Sequence, residues 1–562
     1  MPRILQHFIA LLTISVSVLV IYAQTLHYSF HFDDYFFITE NLKIRDIQNV
    51  QDIWNSLGKP SRFIGMYSFA LNYHFHQLDV FGYHIVNIMI HIINGLLVRW
   101  LVLLTLTTRK FDYREWLATS TAVLFVCHPM NTQAVTYITQ RFASLGSMFY
   151  LLSLCFYIQG RLTAGKHKNI IFTFSFLSVV LGMFTKQIVL TLPICVLLYE
   201  YCFLDLGKKW KPRWPQIMIF LGLLVLIPTL HSWDFSRLFD ARIESRSHEG
   251  DIITSYTYML TQFRVIPLYI SKMFCPVGQT LDYDFPLSTR FWDAKVIGGM
   301  IFIFSTLIAA IVNLRRRPIM AFGILWFFIT LSIESTIIPI YQVIFEHRCY
   351  LPSIGLLFAV NFFLWEIFKS RRKYAICIFL IIVVLGWTAY QRNRVWENET
   401  TLWKDIKQKA PRKVRPYIHL GASYIMKGEY DLALNEFNQA LKMKQDDYKI
   451  FHNRGIVYEM KGELEKAKND YTRAIQLSAG SAPSYMNRAG VLVQLKQYDA
   501  ALIDYNKAIE WDKDYGDAYS GRANLYYMAG RYQQALEDLM TAKKLGSPVD
   551  ENDIEQVKRM IQ

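Results

Sequence analysis

Apolar runs separated by short basic loops fill the first 390 residues of the chain, and after them no window is apolar enough to span a bilayer. Eleven runs can be distinguished, at 8–23, 84–106, 116–127, 143–159, 169–184, 187–204, 215–230, 293–313, 318–333, 350–368 and 374–390. Some are shorter than the roughly 20 residues that a spanning helix needs, so their ends must extend into flanking polar residues. The pattern predicts an all-α bundle of about eleven membrane-spanning helices followed by a water-soluble region.

Positive charge fixes the predicted topology of these helices. Five basic clusters lie between two runs each: Arg109/Lys110/Arg114, Arg161/Lys166/Lys168, Lys208/Lys209/Lys211/Arg213, Arg315/Arg316/Arg317 and Lys369/Arg371/Arg372/Lys373. Because cytoplasmic loops carry the excess of Lys and Arg, all five are predicted to lie inside. The first run follows Arg3 and ends without the small residues of a cleavage site, so we expect an uncleaved helix that starts inside. An odd number of crossings then puts the C-terminal region outside.

One segment does not fit this scheme. Residues 252–275 are fairly apolar but contain Arg264 and Pro267, and counting them as a span would reverse the parity of the topology. We therefore predict an interfacial or re-entrant helix for this segment.

The unusual polar residues of the membrane half all fall on the predicted outer face. They are Asp33, Asp34, Arg62, His128, Arg141, Lys186, Asp282, Asp284, Glu346, His347 and Arg348. Taken singly, each is explained by a side chain that snorkels to water or by a buried ion pair. Taken together, acids and bases from six loops indicate a polar cavity at the outer interface.

Asp33 and Asp34 come directly after the first apolar run. Adjacent carboxylates at a membrane boundary are unfavourable unless water, a cation, a basic partner or a substrate compensates them. The alternative is a solvated loop in which one of them caps a short helix over 35–40.

Composition narrows the classes of function. The formal charge is +15, but the positive residues cluster beside apolar runs as in cytoplasmic loops, so the charge does not indicate nucleic-acid binding. The seven cysteines are scattered without a C-x-x-C pair, which argues against a disulfide framework or a zinc site. Cys275 and Cys349 could both face outward, and we expect them to be unpaired.

An internal repeat of 34 residues begins near residue 413. The same step relates Gly428, Gly462, Lys496 and Gly530; Ala433, Ala467, Ala501 and Ala535; Ala440, Ala474, Ala508 and Ala542; Tyr430, Leu464, Tyr498 and Tyr532; and Arg454, Arg488 and Arg522. This period, with small residues where helices cross, is the tetratricopeptide pattern. The predicted domains are a membrane domain over 1–395, a leading segment over 396–412, four repeats over 413–548 and a closing helix over 549–562. Such solenoids bind peptides or protein surfaces in a concave groove, and the alternative is a scaffold without a ligand.

With these residues in place, the chain resembles the tetratricopeptide-repeat membrane O-mannosyltransferases, which are multispanning glycosyltransferases of the GT-C class. The resemblance is carried by Phe32-Asp33-Asp34-Tyr35 with Trp54; Phe69-Ala70-Leu71-Asn72-Tyr73 with Gly82-Tyr83-His84 and Asn87; His128-Pro129 with Tyr137-Ile138 and Arg141; Lys186 with Leu192-Pro193; Asp282-Tyr283-Asp284; and Glu346-His347-Arg348-Cys349-Tyr350-Leu351-Pro352. The chain departs from the expected pattern at two places. Phe63-Ile64 follows Arg62 where Pro-Leu is common, and Gln187 follows Lys186 where an acid is common.

The resemblance implies a GT-C-like fold and transfer of a mannose-like sugar from a polyprenyl-phosphate or dolichyl-phosphate donor to Ser or Thr hydroxyls of proteins. The reaction would take place on the non-cytosolic side, in the periplasm or the lumen of the endoplasmic reticulum. It implies Asp34 or Asp33 as the general base, with Asp34 preferred. Basic candidates for the donor phosphate are Arg348, His347, Arg141, Lys186 and Arg62, with Glu346, His128, Asp282 and Asp284 as supporting polar groups. Asp33 and Asp34 would be the ligands of a divalent metal ion if one is used, but Lys and Arg charge could serve instead.

Two further functions stay open at this point. A non-catalytic membrane scaffold would use the repeats alone, although it needs no carboxylate pair facing several bases. A GT-C transferase with a glycan or lipid acceptor would keep the chemistry but would need no peptide-binding solenoid.

Overall fold

The computed structural model describes residues 3–55, 62–109, 111, 113–204, 217–223, 225, 244–246, 252–340, 342–368 and 370–561. These residues form two compact units, Met1–Asp405 and Ile406–Gln562. Most of the described chain is helical, and its one pair of strands, Glu244–Arg246 and Ile252–Thr254, is antiparallel. The predicted fold class, an all-α membrane bundle followed by a tetratricopeptide solenoid, is confirmed.

The first unit is built from helices of very different length. They are Arg3–Tyr22, Val50–Trp54, Phe63–His76, Val80–Thr108, Arg114–Cys127, Thr132–Thr136, Arg141–Leu162, His167–Met183, Leu192–Tyr199, Ser255–Phe274, Ala294–Val312, Pro318–Leu331, Tyr350–Phe368 and Arg371–Arg394, with Glu399–Lys409 after them. Seven helical segments within the described ranges are long and apolar enough to cross a membrane, and His167–Met183 and Pro318–Leu331 are apolar but shorter. The total of eleven spans stays a prediction.

Several parts of the predicted topology lie outside the described residues. These are half of the run 215–230, the cluster Lys208/Lys209/Lys211/Arg213, the single residues Lys110 and Lys369, and most of 231–251.

Close helix approach in the bundle depends on paired glycines. A Cβ on Gly323 would lie 2.3 Å from the carbonyl oxygen of Gly355, and a Cβ on Gly355 would lie 2.6 Å from that of Gly323. The Pro318–Leu331 and Tyr350–Phe368 helices therefore meet backbone to backbone, the geometry that small residues permit inside membranes.

A polar cluster fixes the Tyr350–Phe368 helix against two others. The Tyr350 hydroxyl lies 2.6 Å from Nδ1 of His91 and accepts a hydrogen bond from Asn94 Nδ2 at 3.1 Å. Asn94 also donates to the Ser144 carbonyl at 2.9 Å. This network fixes the start of the Tyr350–Phe368 helix. The candidate site residues Glu346, His347 and Arg348 lie directly before it.

The segment with Arg264 and Pro267 forms one continuous helix, Ser255–Phe274, which begins with a capping box between Thr254 and Thr257. Arg264 donates to the Pro286 carbonyl at 3.0 Å and to the Ser288 hydroxyl at 2.8 Å. This charge is therefore satisfied by the following loop, and the interfacial or re-entrant placement of the helix stays a prediction.

The second unit is a series of antiparallel helix pairs. The pairs are Arg415–Met426 with Tyr430–Met443, Tyr448–Met460 with Leu464–Leu477, Ala482–Gln494 with Tyr498–Trp511, and Gly516–Met528 with Tyr532–Lys544, and Glu551–Ile561 closes the series. The turns within the pairs need a left-handed residue. Gly428, Gly462 and Gly530 take φ of 73°, 74° and 69°, and Lys496 takes 59° at the equivalent position.

A repeated ion pair joins the two helices of three of these pairs. Arg454, Arg488 and Arg522 each bond through Nε and Nη2 to both oxygens of an aspartate sixteen residues later, at 2.6–2.8 Å. In the first pair Leu420 takes the place of the arginine, and Glu436 accepts instead from Lys407 at 2.7 Å. The arginine that recurs every 34 residues therefore stabilises the contact between the two helices of its pair.

Candidate functional site

Asp34 is a fully buried carboxylate that anchors the acidic loop, residues 29–34. One oxygen accepts from the backbone N–H and the hydroxyl of Thr139, both at 2.8 Å, and the other accepts from the His31 N–H at 2.9 Å. The side chain therefore does not cap the helical turn Tyr35–Thr39, so the capping alternative is wrong for Asp34. Burial raises the pKa of Asp34 to about 6, although the bonds from His31 and Thr139 oppose the shift.

Asp33 is only half-buried, and its backbone is fixed from both sides. Its N–H donates to the Tyr137 hydroxyl at 2.9 Å. The preceding residue, Phe32, has a φ of +50°, which is unusual for a residue other than glycine. The next residue is the anchored Asp34. Asp33 is thus the member of the acidic pair that combines a fixed backbone with an accessible side chain.

Three of the predicted phosphate-binding cations act on one carboxylate, Glu334. Lys186 Nζ lies 2.9 Å from Glu334 Oε1. Burial alone would raise the pKa of Glu334, but the positive charges of Lys186, Arg348 and Arg62 hold it below its ordinary value. Arg62, Lys186, Arg348 and Glu334 are hereafter the basic cluster. They come from four separate stretches of sequence, and the positive charges of all three bases act on Glu334.

Arg62 packs against the turn that follows the acidic loop. Its guanidinium lies over the rings of Phe142 and Phe37, at 5.0 and 5.7 Å from their centroids. Phe37 belongs to the turn that begins directly after Asp34.

Arg348 organises the loop that carries Glu334. Its Nη2 donates to the Gln342 carbonyl at 2.7 Å, and its Nη1 donates to the Val343 carbonyl and the Tyr258 hydroxyl, both at 3.1 Å. The sequence predicted that this guanidinium fork faces phosphate. In the structure its two terminal nitrogens bind the backbone at 342–343. Arg348 therefore orders this backbone and also contributes positive charge to the basic cluster.

Arg141 stands apart from the basic cluster. Its Nε donates to the Asn87 side chain at 2.6 Å and its Nη2 to the Tyr83 carbonyl at 3.0 Å, while Nη1 lies 3.2 Å from two oxygens of Ser68. Its side chain is fully buried against the Phe69 ring. Asp34 accepts its hydrogen bonds from Thr139 and His31 rather than from Arg141, although its negative charge acts on the Arg141 guanidinium.

His347 and Glu346 precede Arg348 and differ in how many of their side-chain polar atoms form hydrogen bonds. Glu346 accepts from Tyr283 at 2.6 Å, Thr280 at 3.1 Å and Gln279 at 3.2 Å. His347 donates its backbone N–H to Gln133 at 2.9 Å, and its buried Nδ1 has no hydrogen-bond partner within the described ranges. Glu346 is therefore an anchor for 279–283, whereas His347 has a ring nitrogen available.

The other supporting residues surround these loops. His128 uses both ring nitrogens, with Nδ1 accepting from the Met130 N–H at 3.2 Å and Nε2 lying 3.1 Å from the Met273 carbonyl. Asp282 is buried and Asp284 half-buried. No group of three or more His, Cys, Asp or Glu side chains able to hold a metal ion occurs in the part of the chain that the structure describes.

Sequence reasoning missed Glu334, Thr139 and Tyr137 as functional neighbours. Glu334 follows the apolar run 318–333, so an acid at the outer end of a run was a signal that could have identified it. It also supplies the carboxylate for Lys186 that Gln187 does not. Thr139 carries no such signal, because a neutral hydroxyl between helices has many ordinary roles.

Models of the tetratricopeptide repeat match residues 421–462, 448–480 and 482–515. Among curated relatives, "Protein O-mannosyl-transferase F38B6.6" of Caenorhabditis elegans is 23% identical over 430 residues, which cover 73% of this chain and 59% of the relative. "Protein O-mannosyl-transferase Tmtc3" of Drosophila melanogaster is 23% identical over 534 residues, covering 80% and 57%. The human "Protein O-mannosyl-transferase TMTC3" is 22% identical over 491 residues, covering 77% and 51%. The predicted resemblance is confirmed, and the chain spans a little over half the length of these relatives.

Two solved structures illustrate the similarity to known repeat proteins. A crystal structure of MamA has a TM-score of 0.24 and 20% identity, covering 26% of this chain and 85% of MamA. That of YrrB, described as a TPR protein with an unusual peptide-binding site, has a TM-score of 0.25 and 18% identity, covering 35% and 97%.

Proposed function

We propose that this membrane protein is a glycosyltransferase that moves a mannose-like sugar from a polyprenyl-phosphate or dolichyl-phosphate donor to Ser or Thr hydroxyls of polypeptides. The reaction takes place on the non-cytosolic side of the membrane. In this proposal residues 1–395 carry the chemistry, and the four repeats over 413–548 recruit the acceptor. The names of the relatives support this class of reaction, and the shared period of the repeats supports a polypeptide acceptor.

The observations that carry the proposal are an accessible, backbone-fixed carboxylate and a basic cluster whose Arg62 lies over the ring of Phe37, four residues after Asp33. Sugar transfer needs a base near the acceptor oxygen and positive charge near the departing phosphate. Asp33 meets the first need, and Arg62, Lys186 and Arg348 meet the second.

Asp33, rather than Asp34, is assigned as the general base. Both oxygens of Asp34 already accept hydrogen bonds, so a third donor would have to displace one of them. In the transfer step the acceptor oxygen bonds to the anomeric carbon while the bond from that carbon to the phosphate oxygen breaks. The hydroxyl proton passes to Asp33, and the electron pair of the broken bond leaves with the phosphate.

The formal charge of the basic cluster suits this leaving group. Three cations less the one carboxylate of Glu334 leave two positive charges. A polyprenyl-phosphate sugar is a phosphodiester with one negative charge, and transfer converts it to a monoester with nearly two. The cluster therefore interacts more strongly with the product phosphate than with the donor, which is the differential binding that lowers a barrier.

Direct transfer tests the proposal. The full-length protein in lipid nanodiscs would be incubated with radiolabelled dolichyl-phosphate mannose and peptides rich in Ser and Thr, with Ala-substituted peptides as the control. We expect label on the Ser/Thr peptides alone. Peptide binding without any consumption of donor would contradict the proposal and favour a scaffold, while label only on added glycans or lipids would show the acceptor class to be wrong.

A further inference from the structure

The chain that leaves the last membrane helix packs directly against the acidic loop. His31 Nε2 donates to the Trp396 carbonyl at 2.7 Å, and His31 Nδ1 lies 3.4 Å from Glu399 Oε1. The Ser29 N–H lies 3.5 Å from the Glu397 carbonyl. The same histidine donates its backbone N–H to Asp34. The segment 396–403 is therefore in contact with the loop that carries both aspartates.

Two tryptophans of this segment face Phe32, which precedes Asp33, and Tyr137, which binds the backbone of Asp33. The Trp403 ring lies 4.8 Å from the Phe32 ring, between centroids. The Trp396 ring stacks on Tyr137 at 5.4 Å, and the Tyr137 hydroxyl accepts from the Asp33 N–H. Trp403 Nε1 also donates to Glu399 Oε2 at 2.5 Å, which ties the ring to the carboxylate beside His31.

Phe32 needs such support because its backbone is left-handed. A φ of +50° is unfavourable for a residue with a Cβ and persists only where the surroundings enforce it. Phe32 immediately precedes Asp33, so the direction in which the Asp33 side chain leaves the backbone depends on this conformation. Strained backbone of this kind is typical of functional sites.

We propose that Trp403 and Glu399 are positioning residues for Asp33. They hold Phe32 and His31 in the conformation that presents the Asp33 carboxylate to the acceptor hydroxyl. The assignment rests on the proposed role of Asp33 as the base, whereas the contacts themselves are independent of it. Neither residue touches the reacting atoms, so their effect on transfer is through the acidic loop.

Three variants of the full chain separate positioning from general folding. Trp403→Ala removes the ring contact and the bond to Glu399, while Trp403→Phe keeps an aromatic ring against Phe32. Trp292→Ala is the matched control, because Trp292 lies in another loop of the same unit and is 82% exposed. Hydrogen–deuterium exchange of 29–35 in nanodiscs reports on the loop without any substrate, and exchange of 128–139 reports on its neighbours.

We expect Trp403→Ala to accelerate hydrogen–deuterium exchange over 29–35 at least tenfold while 128–139 stays protected. The same variant should lower kcat for transfer about tenfold and leave the KM for the donor unchanged. Trp403→Phe should restore most of both, and Trp292→Ala should change neither. A role in folding alone would raise exchange in both segments together.

Phe32→Gly removes the same ring contact from its other side, so the proposal stays testable if Trp403→Ala folds poorly, and a double-mutant cycle is available if it folds. Phe32→Gly removes the ring but suits a positive φ. We expect the loss of kcat in Phe32→Gly combined with Trp403→Ala to be close to that of Trp403→Ala alone, because Phe32→Gly removes a ring contact that Trp403→Ala has already removed.

Unchanged exchange over 29–35 in Trp403→Ala would overturn the positioning proposal, as would faster exchange at an unchanged kcat or multiplied losses in the cycle. A wild-type protein that transfers no sugar would instead refute the proposed function, and the exchange result would still decide whether Trp403 orders the loop.

Discussion

The ammonium group of Lys186 lies 2.9 Å from a carboxylate oxygen of Glu334, and both side chains are largely buried. The pair is part of a cluster, since Arg348 and Arg62 act on the same carboxylate. Glu334 thus keeps three cations close together before a donor phosphate arrives, and Lys186 has a counter-ion that its sequence neighbours do not provide.

This arrangement predicts opposite effects at the two ends of the ion pair. Lys186→Gln should weaken binding of a dolichyl-phosphate sugar about tenfold, because a charge-assisted contact to phosphate is worth roughly 1–2 kcal/mol. Glu334→Gln removes the opposing charge and should leave donor affinity unchanged or improved. Equilibrium binding of labelled donor to the two nanodisc-embedded variants measures this. An equal loss in both would mean that the pair serves only the fold.

Asp34→Asn should damage the fold before it damages the chemistry. Asp34 accepts from three donors, and an amide nitrogen in place of one oxygen would face either the His31 N–H or the Thr139 donors. A buried mismatch of this kind costs about 1–3 kcal/mol. We expect a lower melting temperature for Asp34→Asn than for Asp33→Asn in a thermal-shift measurement at pH 7. Equal melting temperatures would contradict the anchoring role.

The same comparison has a predicted pH dependence. The pKa of Asp34 is raised to about 6 by burial. Between about pH 4 and 6 the folded state therefore keeps a proton that the unfolded state has already released. The contribution of Asp34 to stability is therefore largest at low pH and falls as the pH rises through 6. The advantage of wild type over Asp34→Asn should be greater at pH 4.5 than at pH 7, and a gap that widens with pH would contradict this.

The topology predicts which side a reagent must reach. The repeat region contains no native cysteine, so Glu510→Cys introduces a unique exposed thiol there. If the repeats are non-cytosolic, a membrane-impermeant maleimide should label this thiol in intact cells, or in vesicles whose lumenal face has been turned outward. Labelling from the cytosolic face alone would put the acidic loop on the wrong side as well.

The repeats should fold without the membrane half. We expect 406–562 to be helical and monomeric, and more stable than 413–562, because only the longer fragment keeps the Lys407–Glu436 pair. Arg488→Met should cost about 3 kcal/mol by leaving the nearly buried Asp504 unpaired.

Lys507→Met is the control for that substitution, since the Lys507–Glu510 pair is exposed and should contribute far less to stability than the Arg488–Asp504 pair. Urea unfolding followed by circular dichroism gives these differences. Equal effects of Arg488→Met and Lys507→Met would show that the repeated ion pair does not stabilise the solenoid.

Periodicity explains why the fold could be predicted well from the sequence. The 34-residue repeat and the apolar runs are local patterns, so helix pairs and membrane helices follow from them directly. The convergence of Lys186, Arg62 and Arg348 was also predictable, because outward-facing charges on a helical bundle meet at one face.

The roles within the site were less predictable, because they depend on tertiary hydrogen bonds. Asp33 and Asp34 are identical in type and adjacent in sequence, and the full burial of Asp34 with its contacts to Thr139 and His31 distinguishes it from Asp33. The hydrogen bonds that the Arg141 and Arg348 guanidinium groups donate to carbonyls of the protein likewise depend on tertiary structure and carry no signal in the sequence.

The most direct measurement compares the single-turnover rate of sugar transfer in Asp33→Asn and wild type, with donor at saturating concentration. If Asp33 is the general base, Asp33→Asn should transfer about 10²–10⁴-fold more slowly while it binds donor normally and keeps its melting temperature. Asp33→Glu should recover part of the rate, because a carboxylate remains. Transfer by Asp33→Asn at the wild-type rate would contradict the catalytic assignment.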